Sequence, residues 1–236
     1  MKTTATFLFL SLSLPAYADF AQVTDADGYA NIRSQPSPNS KIIGKVPDGA
    51  IVTLLYDEED DGWRLVSYQT PQGRTISGTM HYSRLKSIHS YPELPSASSD
   101  NQFGCGMRPY RLTVKTGAFD FPLHRQDFTA LHNKEYNIYT FTRYKRKPAI
   151  GNDGTPPTLA YRSIVLNGKQ GHSAVPEADF DNLFQPNVQY HSCFYNRKTD
   201  TIYLFARNSD GAGSYNALFI FTKGRYIKRL IDDNQI

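Results

Sequence analysis

Few residues in this chain have the spacing of a reactive centre. The two cysteines, Cys105 and Cys193, lie beyond residue 101, as do His172 and His191. A thiolate beside an imidazole base makes a nucleophile, but only if the sulfur has no disulfide partner. Glu177, Asp179 and Asp181 could share acid–base work in a hydrolase, although the same spacing is common for charge on the surface of a short helix. The run Asp57-Glu58-Glu59-Asp60-Asp61 has enough carboxylates for Ca²⁺, yet it lacks the alternating ligands and downstream Glu of a calcium loop. The six histidines form no His-x-His or His-Glu-x-x-His pair, so no metal is expected. Ser209-Asp210-Gly211-Ala212-Gly213-Ser214 is glycine-rich but has no Lys and no helix after it, which suits a hairpin loop better than a phosphate loop. Tyr144-Lys145-Arg146-Lys147 is too short a basic cluster for a nucleic-acid footprint. The expectation is a non-enzyme with no catalytic residue, no cofactor and no nucleic-acid partner.

The elements that carry these residues begin after an address segment. Lys2, the apolar run Phe7–Leu14, Pro15 and the small residues Ala16 and Ala18 form a secretory leader, with cleavage expected before Asp19. The run is shorter than the roughly 20 apolar residues that span a bilayer, so no membrane span is expected, and the protein should be periplasmic or secreted. Loss of Lys2 leaves 25 basic against 22 acidic residues, a net charge of +3 that points to no polyanion. In an oxidising compartment Cys105 and Cys193 are expected to bond to each other. Composition excludes collagen, coiled-coil and disulfide-scaffold classes, and 16 Tyr and 14 Phe against 3 Met favour strands. Residues 91–101 hold two prolines and three serines without periodicity and read as a linker between units 19–90 and 102–236.

The first unit is a row of short strands separated by turns such as Pro47-Asp48-Gly49 and Pro71-Gln72-Gly73. Its motifs run in order. Asn31-Ile32-Arg33-Ser34 leads into a Pro-Ser turn, and Ile42-Ile43-Gly44-Lys45-Val46-Pro47-Asp48-Gly49 follows. Then come a β-branched strand, the acidic tip, Gly62-Trp63, and a closing Tyr82-Ser83-Arg84-Leu85-Lys86. Residues 23–88 thereby resemble the bacterial SH3 (SH3b) family, with Thr79 where that family often carries a second Trp. The resemblance implies a small barrel that binds rather than catalyses. Its partners would be a cell-wall peptide or an envelope protein, and Tyr29, Arg33, Trp63 and Tyr82 are the candidate contact residues. Arg33 could instead pair with the acidic loop, and Trp63 could be core.

The second unit alternates apolar and polar residues over 110–115 and 137–144. Further strands are expected at 161–166 (ending at the turn Asn167-Gly168), 188–195, 201–207, 216–222 and 225–231, with one short helix near Glu177–Phe184. The fold class is therefore all-β: an SH3-like barrel, then a mainly antiparallel β domain with one short helix. An exported binding protein fits best. A periplasmic immunity protein that blocks a toxin or a cell-wall hydrolase also fits, with loops 145–158 and 208–215 entering the target. A hydrolase using Glu177, Asp179 or Asp181 ranks last.

Overall fold

The computed structural model describes residues 19–55, 61–136, 138–152, 154–169 and 171–233. The leader, residues 1–18, and Asp57–Asp60 of the acidic run lie outside the described residues. The first seven strands are β1 (Asp19–Val23), β2 (Tyr29–Arg33), β3 (Ile42–Pro47), β4 (Ile51–Leu54), β5 (Trp63–Gln69), β6 (Thr75–His81) and β7 (Leu85–Ser87). They form one sheet in the order β3-β2-β6-β5-β4-β1-β7. Alternate residues such as Ala30 and Ile32, Val46, Val66, Tyr68 and Met80 point inward to a core of their own.

The rest of the chain contributes β8 (Ser96–Ser99), β9 (Gln102–Met107), β10 (Tyr110–Ala118), β11 (Phe128–Asn133), β12 (Ile138–Tyr144), β13 (Lys147–Pro148), β14 (Leu159–Gly168), β15 (Gly171–Ala174), β16 (His191–Asn196), β17 (Thr201–Asn208), β18 (Tyr215–Thr222) and β19 (Arg225–Asp232). These make a five-stranded sheet β15-β14-β10-β9-β8, a four-stranded sheet β16-β17-β18-β19 and a small sheet β11-β12-β13. All the strand pairs are antiparallel, because hairpins connect most neighbours.

The four-stranded sheet is buried on both faces, and its sequence shows why. On β18, Ala217, Phe219 and Phe221 pack against the five-stranded sheet through Phe103, Leu112, Val114, Ile164 and Leu166. The intervening Leu218 and Ile220 pack the other way, onto Phe20, Ile51, Ile88 and Tyr91 of the barrel side. An unbroken apolar run from Ala217 to Phe221 requires cover on both faces. Sheet, sheet and barrel therefore stack as three layers. Polar groups fix the second junction. Gln22 Nε2 donates to Gly49 O (3.0 Å) and Tyr203 Oη (3.4 Å), and its Oε1 accepts from Tyr91 Oη and from Asn196 Nδ2 (3.4 Å). His89 contacts Asp19 (3.0 Å) and packs edge-on against Phe194 and Phe205.

Cys105 on β9 is bonded to Cys193 on β16, so the disulfide joins the two stacked sheets, as expected for an oxidising compartment. Three local expectations need correction. The stretch 91–101 is not irregular: Leu94 N donates to Cys193 O (2.8 Å), Tyr195 N to Pro92 O (2.9 Å) and Gly106 N to Pro95 O (3.0 Å), before Ser96–Ser99 joins β9. Small Ser and Ala side chains give no hydrophobic alternation, yet their backbone groups pair as well as any others. Residues Glu177–Phe184 hold only a 3₁₀ turn, Glu177–Asp179. Beyond it Leu183 and Phe184 bridge to Ile150 and Ala160 and turn inward, which replaces helical bonds. The short helix is α1 (Phe121–His124), capped by Asp120, whose carboxylate accepts from Leu123 N (3.1 Å). Finally, Gly168 still pairs with Gly171, so the chain reverses beyond Asn167-Gly168.

Candidate ligand-binding groove

On β2, Ala30 and Ile32 face the core, which places Tyr29, Asn31 and Arg33 together on the outer face. Trp63 opens β5 and pairs with His81 at the end of β6. The chain then enters the 3₁₀ turn Tyr82–Arg84. These segments, with the loop Asp25–Asp27 and Pro38, enclose a groove of about 390 Å³. Tyr29, Arg33 and Trp63 all line it; Tyr82 does not.

Two glycines shape the groove. Gly62 has φ +83°, and a Cβ there would meet the Tyr82 ring at 3.1 Å, so the Gly-Trp pair requires glycine on both counts. A Cβ at Gly78 would fall 2.5 Å from Arg33 O and 2.8 Å from Ile32, so β6 can cross β2 only without a side chain. Thr79 next to it pairs with Arg33 and donates to Arg33 O (3.3 Å).

Trp63 is 9% exposed and packs edge-on to His81 at 5.3 Å, so it serves both core and groove. His81 Nδ1 bonds Ser83 Oγ (2.8 Å), and its ring lies 5.0 Å from Tyr82, which is 53% exposed. Arg33 donates to Ser40 O (2.7 Å), holding the Pro-Ser turn. Tyr29 is 39% exposed with Lys45 Nζ 3.9 Å from its ring centre. Arg84 pairs with Asp25 (3.4 Å) across one end. Asn31 Oδ1 is out of contact with solvent and has no hydrogen-bond partner. Asn31 is the residue that motif reading left out of the site, although it sits in the Asn-Ile-Arg-Ser motif two positions before Arg33. Asp25 and His81 come from segments distant in sequence and gave no signal, whereas Arg84 lies in the closing motif Tyr82–Lys86 without having been singled out.

The residues considered reactive from the sequence lie outside this groove. Cys193 is in the disulfide. His191 is buried, bonds Asn187 O through Nδ1 (2.8 Å) and Tyr161 Oη through Nε2 (3.1 Å), and burial lowers it to about 4, leaving it neutral. His172 is exposed on β15, opposite Asn167. Asp179 accepts from Tyr226 Oη (2.8 Å) and Asp181 from Lys147 Nζ (2.8 Å), so both anchor neighbouring strands. Lys145 and Arg146 form the turn between β12 and β13 with positive φ. Ser209–Ser214 connects β17 to β18. Among the described residues no group of three or more His, Cys, Asp or Glu could hold a metal ion.

Residues 28–78 match the family model of the bacterial SH3 domain, and this part of the chain is a domain of that kind. The match contains Tyr29, Asn31, Arg33 and Trp63 and stops short of Tyr82. No curated protein and no solved structure is significantly similar to the chain. A bacterial SH3 domain is a binding domain and suggests a role at the cell wall. Together with the Cys105–Cys193 bond it suggests an extracellular or periplasmic protein. Among the described residues no helix is long and apolar enough to cross a membrane.

Proposed function

We propose that the chain is an exported binding protein of the bacterial envelope whose SH3 groove takes a cell-wall peptide or a peptide segment of an envelope protein. After cleavage before Asp19, residues 19–90 are the binding unit, and 102–236 form a disulfide-bonded unit reached through 91–101. The observation that carries this reading is the groove of about 390 Å³ lined by Tyr29, Arg33 and Trp63, inside the stretch that matches the bacterial SH3 domain. Tyr29 and Trp63 offer ring faces to peptide side chains, while Arg33 and Asp27 stand ready for a terminal carboxylate and amine.

Trp63 is the one tryptophan of the chain, so its emission reports on the groove directly. Titrating the mature protein with muropeptides should shift that emission saturably, and the protein should sediment with purified peptidoglycan. Protein that stays in the supernatant with unchanged emission would rule out the wall. Capture of one protein from envelope extract, abolished by Tyr29→Ala, would then assign the groove to a protein partner.

A second reading, an immunity protein that inhibits a toxin, is favoured by the β11–β12 hairpin. Leu131, Tyr136 and Tyr139 are exposed there, suitable for insertion into an enzyme cleft. Protection of a hydrolase or toxin by the wild type, lost on Leu131→Asp with Tyr139→Asp, is the result that would support it.

A further inference from the structure

At one end of the two stacked sheets, turns from both sheets converge on a cavity of about 550 Å³. The β9–β10 turn brings Tyr110 to it, the β14–β15 turn Lys169, the β16–β17 turn Arg197 and Asp200, and the β18–β19 turn Lys223; Tyr195 of β16 completes the wall. Hairpin turns favour Asn, Asp and Gly for conformational reasons. Here three of them place a cation on the same cavity instead. Lys169, Arg197 and Lys223 are exposed, and no ion pair to them is found among the described residues.

The single carboxylate of the cavity, Asp200, is already committed. Tyr110 Oη donates to its Oδ2 (2.7 Å) and Tyr195 Oη to its Oδ1 (2.9 Å). Lys223 N also donates to Asp200 O (2.7 Å), which ties two of the turns into one rigid piece. Both tyrosine protons are held firmly: Tyr110 is pushed up to about 12, by desolvation first and then by its bond to Asp200. Three positive charges against one negative leave the cavity at +2. Three cationic donors from three separate turns, one of them a planar guanidinium fork, suit an anion with several oxygens in different directions.

We propose that this corner of the second unit binds a phosphate group, as the free ion or as the headgroup of an anionic lipid. The site is independent of the SH3 groove.

The test is calorimetric titration of the disulfide-bonded mature protein with inorganic pyrophosphate at low salt, alongside sedimentation with vesicles of phosphatidylcholine mixed with phosphatidylglycerol. Saturable pyrophosphate binding that weakens roughly tenfold in Arg197→Ala with Lys223→Ala, and is unchanged in Tyr29→Ala, is the expected result. Asp200→Asn removes the opposing charge and should tighten binding several-fold, an outcome that misfolding cannot produce. Vesicle binding that needs Arg197 and Lys223, with no uptake of pyrophosphate, identifies the lipid source; the reverse identifies a soluble phosphate. The proposal is overturned if neither probe binds, or if the double variant binds both as the wild type does.

Discussion

Asn31 lines the groove, while its Oδ1 is buried without a hydrogen-bond partner among the described residues. Asn31→Ala should leave thermal stability unchanged or raise it, since an unmet buried acceptor costs about 1–3 kcal/mol. Tyr29→Ala, at an exposed ring of the groove, should weaken muropeptide binding by roughly tenfold, read from Trp63 emission. A clear loss of stability in Asn31→Ala would instead show that its side chain helps hold the fold. Gly78→Ala is the opposite case. Its Cβ would sit 2.5 Å from Arg33 O, so the strands must separate. We expect a loss of about 1–3 kcal/mol in denaturant unfolding, as for other overpacked sites. At this scale Arg33 and Trp63 could be picked out because each sits in a short local motif. His81 and Asp25 could not, because only the barrel's closure brings them near. Arg33 donates to Ser40 O, while residues 57–60 of the acidic tip, with which it could instead pair, lie outside the described residues.

Among the elements, the strands that could be read were those with one or two apolar faces. β14 and β16 to β19 fall within a few residues of their expected bounds, because β-branched and aromatic side chains mark them. β8 and β11 escaped notice. Ser-Ala-Ser-Ser has no apolar face, and β11 alternates Leu131 with Thr129 and Asn133 on a surface left largely to solvent. Phe180, Leu183 and Phe184 have the i, i+3, i+4 spacing of a helix face, yet Leu183 and Phe184 bridge to Ile150 and Ala160, and these strand-like backbone bonds displace the helical ones. The disulfide is the cross-link between β9 and β16, 88 residues apart in sequence. Replacing Cys105 and Cys193 by Ser should cost on the order of 4 kcal/mol of unfolding free energy by the chain-entropy relation. Equal stability of the reduced and oxidised forms would remove the staple role.

The whole molecule is bound by its middle layer. Tyr203, Leu218 and Ile220 of the four-stranded sheet pack against Phe20, Ile51 and Ile88 of the barrel side in one core cluster. Heating should therefore show one transition rather than two. His89 adds a pH dependence at this junction. Its bond to Asp19 comes first, and with the charges of Asp19 and Glu93 it raises the imidazole above its usual 6.5 against the effect of burial. Protonated His89 thus favours the folded form; that contribution is complete below about 6.5 and is lost as pH rises through the higher folded value. The melting temperature of the wild type should fall relative to His89→Gln between about pH 6 and pH 8. A gap that does not change with pH would exclude His89 as its source. The three-layer stack was not legible in the sequence, since no motif marks which surfaces meet; only the unbroken apolar run of β18 hinted at it. The short path out of the barrel has a mechanical consequence. From Pro92 to Leu94 the chain is zipped along Cys193–Tyr195, and the sulfur bridge lies on that same strand. A pull applied between a wall-bound barrel and anything held by the second unit would meet those backbone bonds before it reached the sheets. The covalent cross-link behind them would keep tension from opening the sandwich, so the protein is built to behave as a stiff strut between its two ends rather than as beads on a cord.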